Sequence, residues 1–190
     1  MANSNFSPDD DAPAVPVPAR QARWWDRVRF NGNLGPLPPA IRTTATGMAG
    51  RPLAWAKTAS NEWLVAGEQG LLVSGRGATF HPWFTIETAT WDPQTNTVAV
   101  NYSAGGSNAW GTDDENRKLL HVLRDRIQNS VVTSQTIKVP GGKVHLAIRR
   151  TPDGLVSQIT ADPAVNTQTP EARELIDQAE QTLRSAAGLE

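Results

Sequence analysis

The densest run of interaction-capable side chains is Arg20-Gln-Ala-Arg-Trp-Trp-Asp-Arg-Val-Arg-Phe30. It interleaves Arg20, Arg23, Arg27 and Arg29 with Trp24, Trp25 and Phe30, against the single carboxylate of Asp26. Arg and Trp are the residue types that anchor protein interfaces, one through a planar, multiply donating charge and the other through a large rigid apolar area. The same composition suits a short amphipathic segment at an anionic membrane surface, although so short a segment binds weakly without a second anchor. A third arrangement folds Trp24 and Trp25 back onto the domain's own sheet. Trp110, inside the glycine-flanked stretch Gly106-Ser-Asn-Ala-Trp-Gly111, is a further candidate for an exposed contact.

Residue types that perform covalent or acid–base chemistry are sparse. The chain has no cysteine, which removes disulfides, thiol nucleophiles and thiolate metal sites. Its three histidines, His81, His121 and His145, do not pair at metal-ligand spacing, and each reads as a surface residue rather than a general base. Gly106–Gly111 precedes a helix in the manner of a phosphate loop. A phosphate loop needs Lys and then Ser or Thr after its last glycine, whereas Thr112 and Asp113 stand there and the acids that follow repel an anion. Asp113, Asp114 and Glu115 sit where helix N-termini favour acids anyway, and Asp9–Asp11 lie in a polar tail. No Gly-x-Ser-x-Gly elbow occurs, and Ser130 and Ser157 have no recognisable partners. No catalytic, cofactor-binding or metal-binding residue is expected.

The bulk properties narrow the partners. A net charge of −1 over 190 residues and an isoelectric point near 6.3 lack the basic excess of a nucleic-acid binder, so nucleic acid is an unlikely partner. The acidic, polar start Met1-Ala-Asn-Ser-Asn-Phe-Ser-Pro-Asp-Asp-Asp does not resemble a signal peptide. No apolar run approaches the ~20 residues that span a bilayer, and a cytoplasmic location is expected. The Asn5-Phe6-Ser7 and Asn101-Tyr102-Ser103 glycosylation matches then arise by chance.

Positioning any site falls to the segment after the tail. Eight of the fourteen prolines lie in the first 52 residues, and residues 1–20 bury too little apolar surface to order themselves. Residues 1–47 are expected to be a mostly disordered Pro-rich tail carrying the Arg/Trp segment, with Gly47 and Gly50 in a loop. Residues 48–188 are expected to be a single α+β domain. Short apolar runs divided by turn residues predict strands at 53–58, 63–66, 71–73, 86–91 and 97–102, with loops at 75–80 and 103–111. Thr112 and Glu115 match a capping box for an amphipathic helix carrying Leu119, Leu120, Leu123, Ile127 and Val131 on one face. Strands at 135–139, 143–149 and 155–161 follow, with Pro140-Gly-Gly142 and Thr151-Pro-Asp-Gly154 as turns. Pro170 opens a second helix with the stripe Ala172, Leu175, Ile176, Ala179, Leu183 and Ala186. Hairpins without crossover units predict an antiparallel, strongly bent sheet or partly open barrel of seven or eight strands with two amphipathic helices. Trp55, Trp63, Trp83 and Trp91 fall in or beside these strands and read as core.

The stretch from Trp63 to Tyr102, with Pro82-Trp83-x-x-Ile86 between a glycine-turned hairpin and a valine-rich strand, resembles bacterial PH-like (GRAM-like) domains. That resemblance implies a PH-like core at about residues 53–130, and the second β block after the helix departs from its pattern. Leu37-Pro-Pro-Ala-Ile-Arg42, Leu53-Ala-Trp-Ala56, Pro82-Trp83, Trp91-Asp92, Ser130-Val-Val132 and Ile148-Arg-Arg150 together resemble an uncharacterised family of small actinobacterial proteins over roughly residues 36–188. This second resemblance implies a bacterial cytoplasm and carries no activity with it. The expected function is a non-catalytic cytoplasmic binding or adaptor module that contacts another protein through residues 20–30 and loops 75–82 and 103–112. The alternatives are peripheral membrane association through residues 20–30, and an enzyme whose His- or carboxylate-based site only the fold assembles.

Overall fold

The computed structural model describes residues 35–75, 77–112 and 117–189. The Arg20–Phe30 segment and the proposed cap residue Glu115 lie outside them. Among the described residues the fold is α+β, with ten strands in three antiparallel sheets, three α-helices and no closed barrel.

The first sheet has the order β1-β2-β3-β4, with β1 at Pro52–Lys57, β2 at Trp63–Gly67, β3 at Gly70–Ser74 and β4 at Ala78–Pro82. A 3₁₀ turn, Trp83–Thr85, leads to the second sheet, β5 (Ile86–Asp92), β6 (Thr97–Tyr102) and β7 (Ser107–Gly111). The helix α2 (Arg117–Ser130) follows, and then the third sheet of β8 (Val131–Val139), β9 (Gly142–Thr151) and β10 (Gly154–Ala161). The chain closes with α3 (Pro170–Ala186), and α1 (Pro39–Ala49) precedes the first strand.

Strand periodicity explains the layering, because alternate side chains leave opposite faces of a sheet. Ala54, Ala56, Leu64, Ala66 and Leu71 point from the first sheet into the main core with Val98 and Val100 of β6 and Leu119, Leu120, Leu123 and Ile127 of α2. Val65 and Leu72 leave the other face and meet Leu37, Ala45 and Ala49, with Ile41, Trp55, Trp63 and Phe80 around them. Buried on both faces, β2 reads as the unbroken apolar run Trp-Leu-Val-Ala. Val144, Leu146 and Ile148 of β9 pack under Ala172, Ile176, Ala179 and Leu183 of α3 in a separate core. The first two sheets meet at one corner, where Thr58 bridges Thr112 and Ala59 N–H donates to Gly111 O at 2.9 Å.

Eight of the strands and two of the helices match the sequence expectation. The additions are β4, β7 and α1. Pro82 looks like a terminator but forms the last residue of β4, opposite Gly70 of β3. Ser107-Asn-Ala-Trp-Gly111 lacks apolar alternation and is held by ladder pairing to β6. Pro39 starts α1 instead of breaking the chain, because the first helical position needs no N–H. The expected main helix also stops one residue early, at Ser130, and Val131 opens β8.

Candidate functional site

Where α1 approaches the β1–β2 and β3–β4 turns, the surface sinks into an open groove of about 690 Å³ lined by Ile41, Ser60, Asn61, Glu62, Trp63, Ser74 and Gly75. The β1–β2 turn is built by short-range polar contacts. Asn61 adopts φ 65°, a conformation Asn tolerates better than most residues. Glu62 N–H donates to Thr58 Oγ1 at 3.0 Å, Thr58 Oγ1 and Ser60 Oγ share a 2.9 Å hydrogen bond, and Ser60 Oγ donates to Glu62 Oε2 at 3.0 Å. The Glu62 carboxylate is thereby fixed at the groove's edge. Gly75 closes the opposite side, and a Cβ there would lie 2.7 Å from Glu62 Cγ. Trp63 stands on the α1-facing side of β2, half-buried beside Ile41. The groove therefore combines an indole and an aliphatic wall with a rim of hydroxyls, an amide and one carboxylate.

The chain enters the described fold on this same face. Trp55 Nε1 donates to Gly35 O at 2.9 Å, which ties the residues just after the Arg/Trp segment to the apolar cluster that holds Trp63. Arg20, Arg23, Trp24, Trp25, Arg27, Arg29 and Phe30 themselves lie outside the described residues.

Trp110 departs from the expectation of an exposed loop contact. It lies in β7 opposite Val98, half-buried and packed on the main core, because pairing with β6 draws this stretch onto the second sheet. The expected contact loops likewise contain strands, β4 within 75–82 and β7 within 103–112. Among the expected core tryptophans, Trp83 is buried and donates through Nε1 to Gly67 O and Glu68 O, both at 3.2 Å. Trp55, Trp63 and Trp91 are half-buried against the cores.

The histidines occupy three different elements. His81 on β4 stacks on Tyr102 with ring centroids 4.7 Å apart, and its Nε2 lies 3.4 Å from the Tyr102 hydroxyl, which also accepts from Asn108 Nδ2 at 3.1 Å. Burial pushes the His81 imidazole below its ordinary value and the Tyr102 phenol above its own, so both groups favour their neutral forms. His121 on α2 contacts Asp125 one turn later, at 2.9 Å. His145 Nδ1 meets Thr136 Oγ1 on the neighbouring strand at 3.0 Å. No three His, Asp or Glu side chains converge at metal-binding distance among the described residues. Among those residues, too, no helix is long and apolar enough to cross a membrane.

One buried polar group lies outside the candidates that the sequence offers. Arg149 on β9 is 3% exposed, and its Nη1 donates to Ile86 O at 3.0 Å and to Ser130 Oγ at 2.9 Å. Ser130 Oγ donates in turn to Ile127 O at 2.6 Å. Desolvation pushes the guanidinium below its ordinary value, opposed by the charge of Glu87. Gln158 Nε2 of β10 donates to Phe84 O. Together these bonds clamp the third sheet to the 3₁₀ turn, the start of β5 and the end of α2. The one signal available beforehand was that Arg149 falls out of phase with Val144, Leu146 and Ile148, on the other face of β9.

No protein-family model, curated protein or solved structure matches the chain.

Proposed function

We propose that this protein is a non-catalytic binding module with a PH-like core at about residues 53–130, and that it takes a protein segment in the groove between α1 and the β1–β2 and β3–β4 turns. The groove itself carries this reading, because it sets an accessible indole and aliphatic wall beside a fixed carboxylate. That pattern fits a peptide with an apolar or aromatic anchor and a neighbouring Lys or Arg. The four-strand sheet, three-strand sheet and following helix support the PH-like part.

The test is selection of binding peptides from a random library on the full chain, followed by titration. Peptides with an apolar anchor next to a basic residue are expected, and Trp63→Ala or Glu62→Lys should weaken them at least about tenfold. Peptides indifferent to both substitutions would place the contact elsewhere. Binding to anionic vesicles that is lost with Trp24→Ala and Trp25→Ala, without any effect of Trp63→Ala, would instead favour membrane association.

A further inference from the structure

Among the described residues, three sheets present six edge strands, and five carry features that block pairing with another chain. In the first sheet β1 has Pro52, a register shift and Lys57, and β4 ends in Pro82. In the second, β5 has a register shift with Glu87 and Asp92, and β7 is only five residues long. The third sheet has β8 on one side, with a register shift after Val131 and a charge at Lys138. Its other edge is β10, Gly-Leu-Val-Ser-Gln-Ile-Thr-Ala, which has eight residues, no charge, no proline and an unbroken register against β9.

The register fixes which β10 backbone groups are free. Asp162 N–H donates to Lys143 O at 2.9 Å, and bonded pairs alternate along an antiparallel ladder. Val156, Gln158 and Thr160 therefore bond to β9. The N–H and C=O groups of Leu155, Ser157, Ile159 and Ala161 point away from the sheet. Ile159 is 42% exposed and Val156 38% exposed, on opposite faces, while Gln158 between them is half-buried where it donates to Phe84 O. Ser157 also holds a buried hydroxyl with no hydrogen-bond partner.

We propose that β10 is a self-association edge: two copies of the chain pair antiparallel along it, about a two-fold axis at Gln158, and join their third sheets into one six-stranded sheet. The outward groups are self-complementary in this register, Leu155 opposite Ala161 of the second copy and Ser157 opposite Ile159. The two Ile159 side chains become diagonal neighbours across the axis on the α3 face. Val156 lies opposite Thr160 on the other face. A second copy is the fitting occupant because the two-fold axis sets Gln158 against its own duplicate and brings Ser157 and Ile159 close to theirs. A charged edge would repel itself there, and β10 is uncharged along its whole length.

Sedimentation velocity of the full chain from about 5 to about 500 μM should show a monomer–dimer equilibrium. Ile159→Lys and Ser157→Pro should each weaken it at least about tenfold, with circular dichroism unchanged. Val132→Lys on β8 should leave it intact. Because the chain lacks cysteine, Gln158→Cys gives an independent reading. Residue 158 faces itself in a non-hydrogen-bonded pair with Cα atoms about 4.5 Å apart, within disulfide reach. Mild oxidation should yield a covalent dimer, and Val132→Cys should not. A monomer at every concentration, a dimer that withstands both β10 substitutions, or a dimer that Gln158→Cys fails to cross-link would overturn the proposal.

Discussion

Arg149 Nη1 lies 3.0 Å from the carbonyl oxygen of Ile86, 63 residues earlier in the chain. The contact joins the third sheet to the first residue of β5, and the same nitrogen reaches Ser130, the last residue of α2. One side chain therefore holds three elements in register. Arg149→Ala would leave the Ile86 carbonyl without this donor and open a void, at an expected cost of about 3–5 kcal/mol. Arg149→Met keeps much of the volume and removes the buried charge, so it should cost less. Urea unfolding of the full chain separates the two. Equal stability of Arg149→Ala and the parent would show that the clamp is dispensable.

Gly67 lies where α1 crosses β2. A Cβ there would fall 2.3 Å from Ala49 O and 2.8 Å from Ala49 Cβ, and backbone cannot swing aside as a long side chain can. Gly67→Ala is expected to destabilise by about 1–3 kcal/mol through overpacking. Amide exchange should accelerate first in α1, which would lift from the sheet while the main core holds.

Acidification should weaken the fold through His81. Its folded-state value is depressed by burial below the ordinary 6.5, so the unfolded chain takes up the proton first. The contribution is complete above the ordinary value and is lost as pH falls from there through the depressed folded value. His81→Gln should flatten that part of the stability profile. A parent and variant with parallel profiles between about pH 7 and about pH 5 would rule His81 out as the source.

At the start of α3, Thr169 Oγ1 accepts the Ala172 N–H and Pro170 takes the first helical position. Thr169→Ala should cost about 1 kcal/mol, read as a lower thermal midpoint, with Thr169→Ser close to the parent.

Periodicity and turn chemistry made the α+β class and eight of the strands legible, because those segments carry their own hydrophobic pattern. Ser107–Gly111 carries none, and its strand exists only through pairing with β6. Tertiary context overrode local preference there, and it moved Trp110 from an expected loop onto the core. The groove is illegible in the sequence for a related reason. Ile41, Trp63 and Gly75 come from three separate stretches, and Ser60 and Asn61 read only as a turn. Arg149 was hidden because a charge on a strand reads as solvent-facing until the opposite layer is known.

Within each of the three sheets, every strand pairs with its immediate predecessor or successor in the chain. During synthesis, each sheet can consequently be completed from residues already outside the ribosome, before the next begins to emerge. The carbonyls of Phe84 and Ile86 are exceptions. They must wait for Gln158 and Arg149, so the first two sheets and α2 leave the ribosome with two water-exposed acceptors that the last third of the chain later covers.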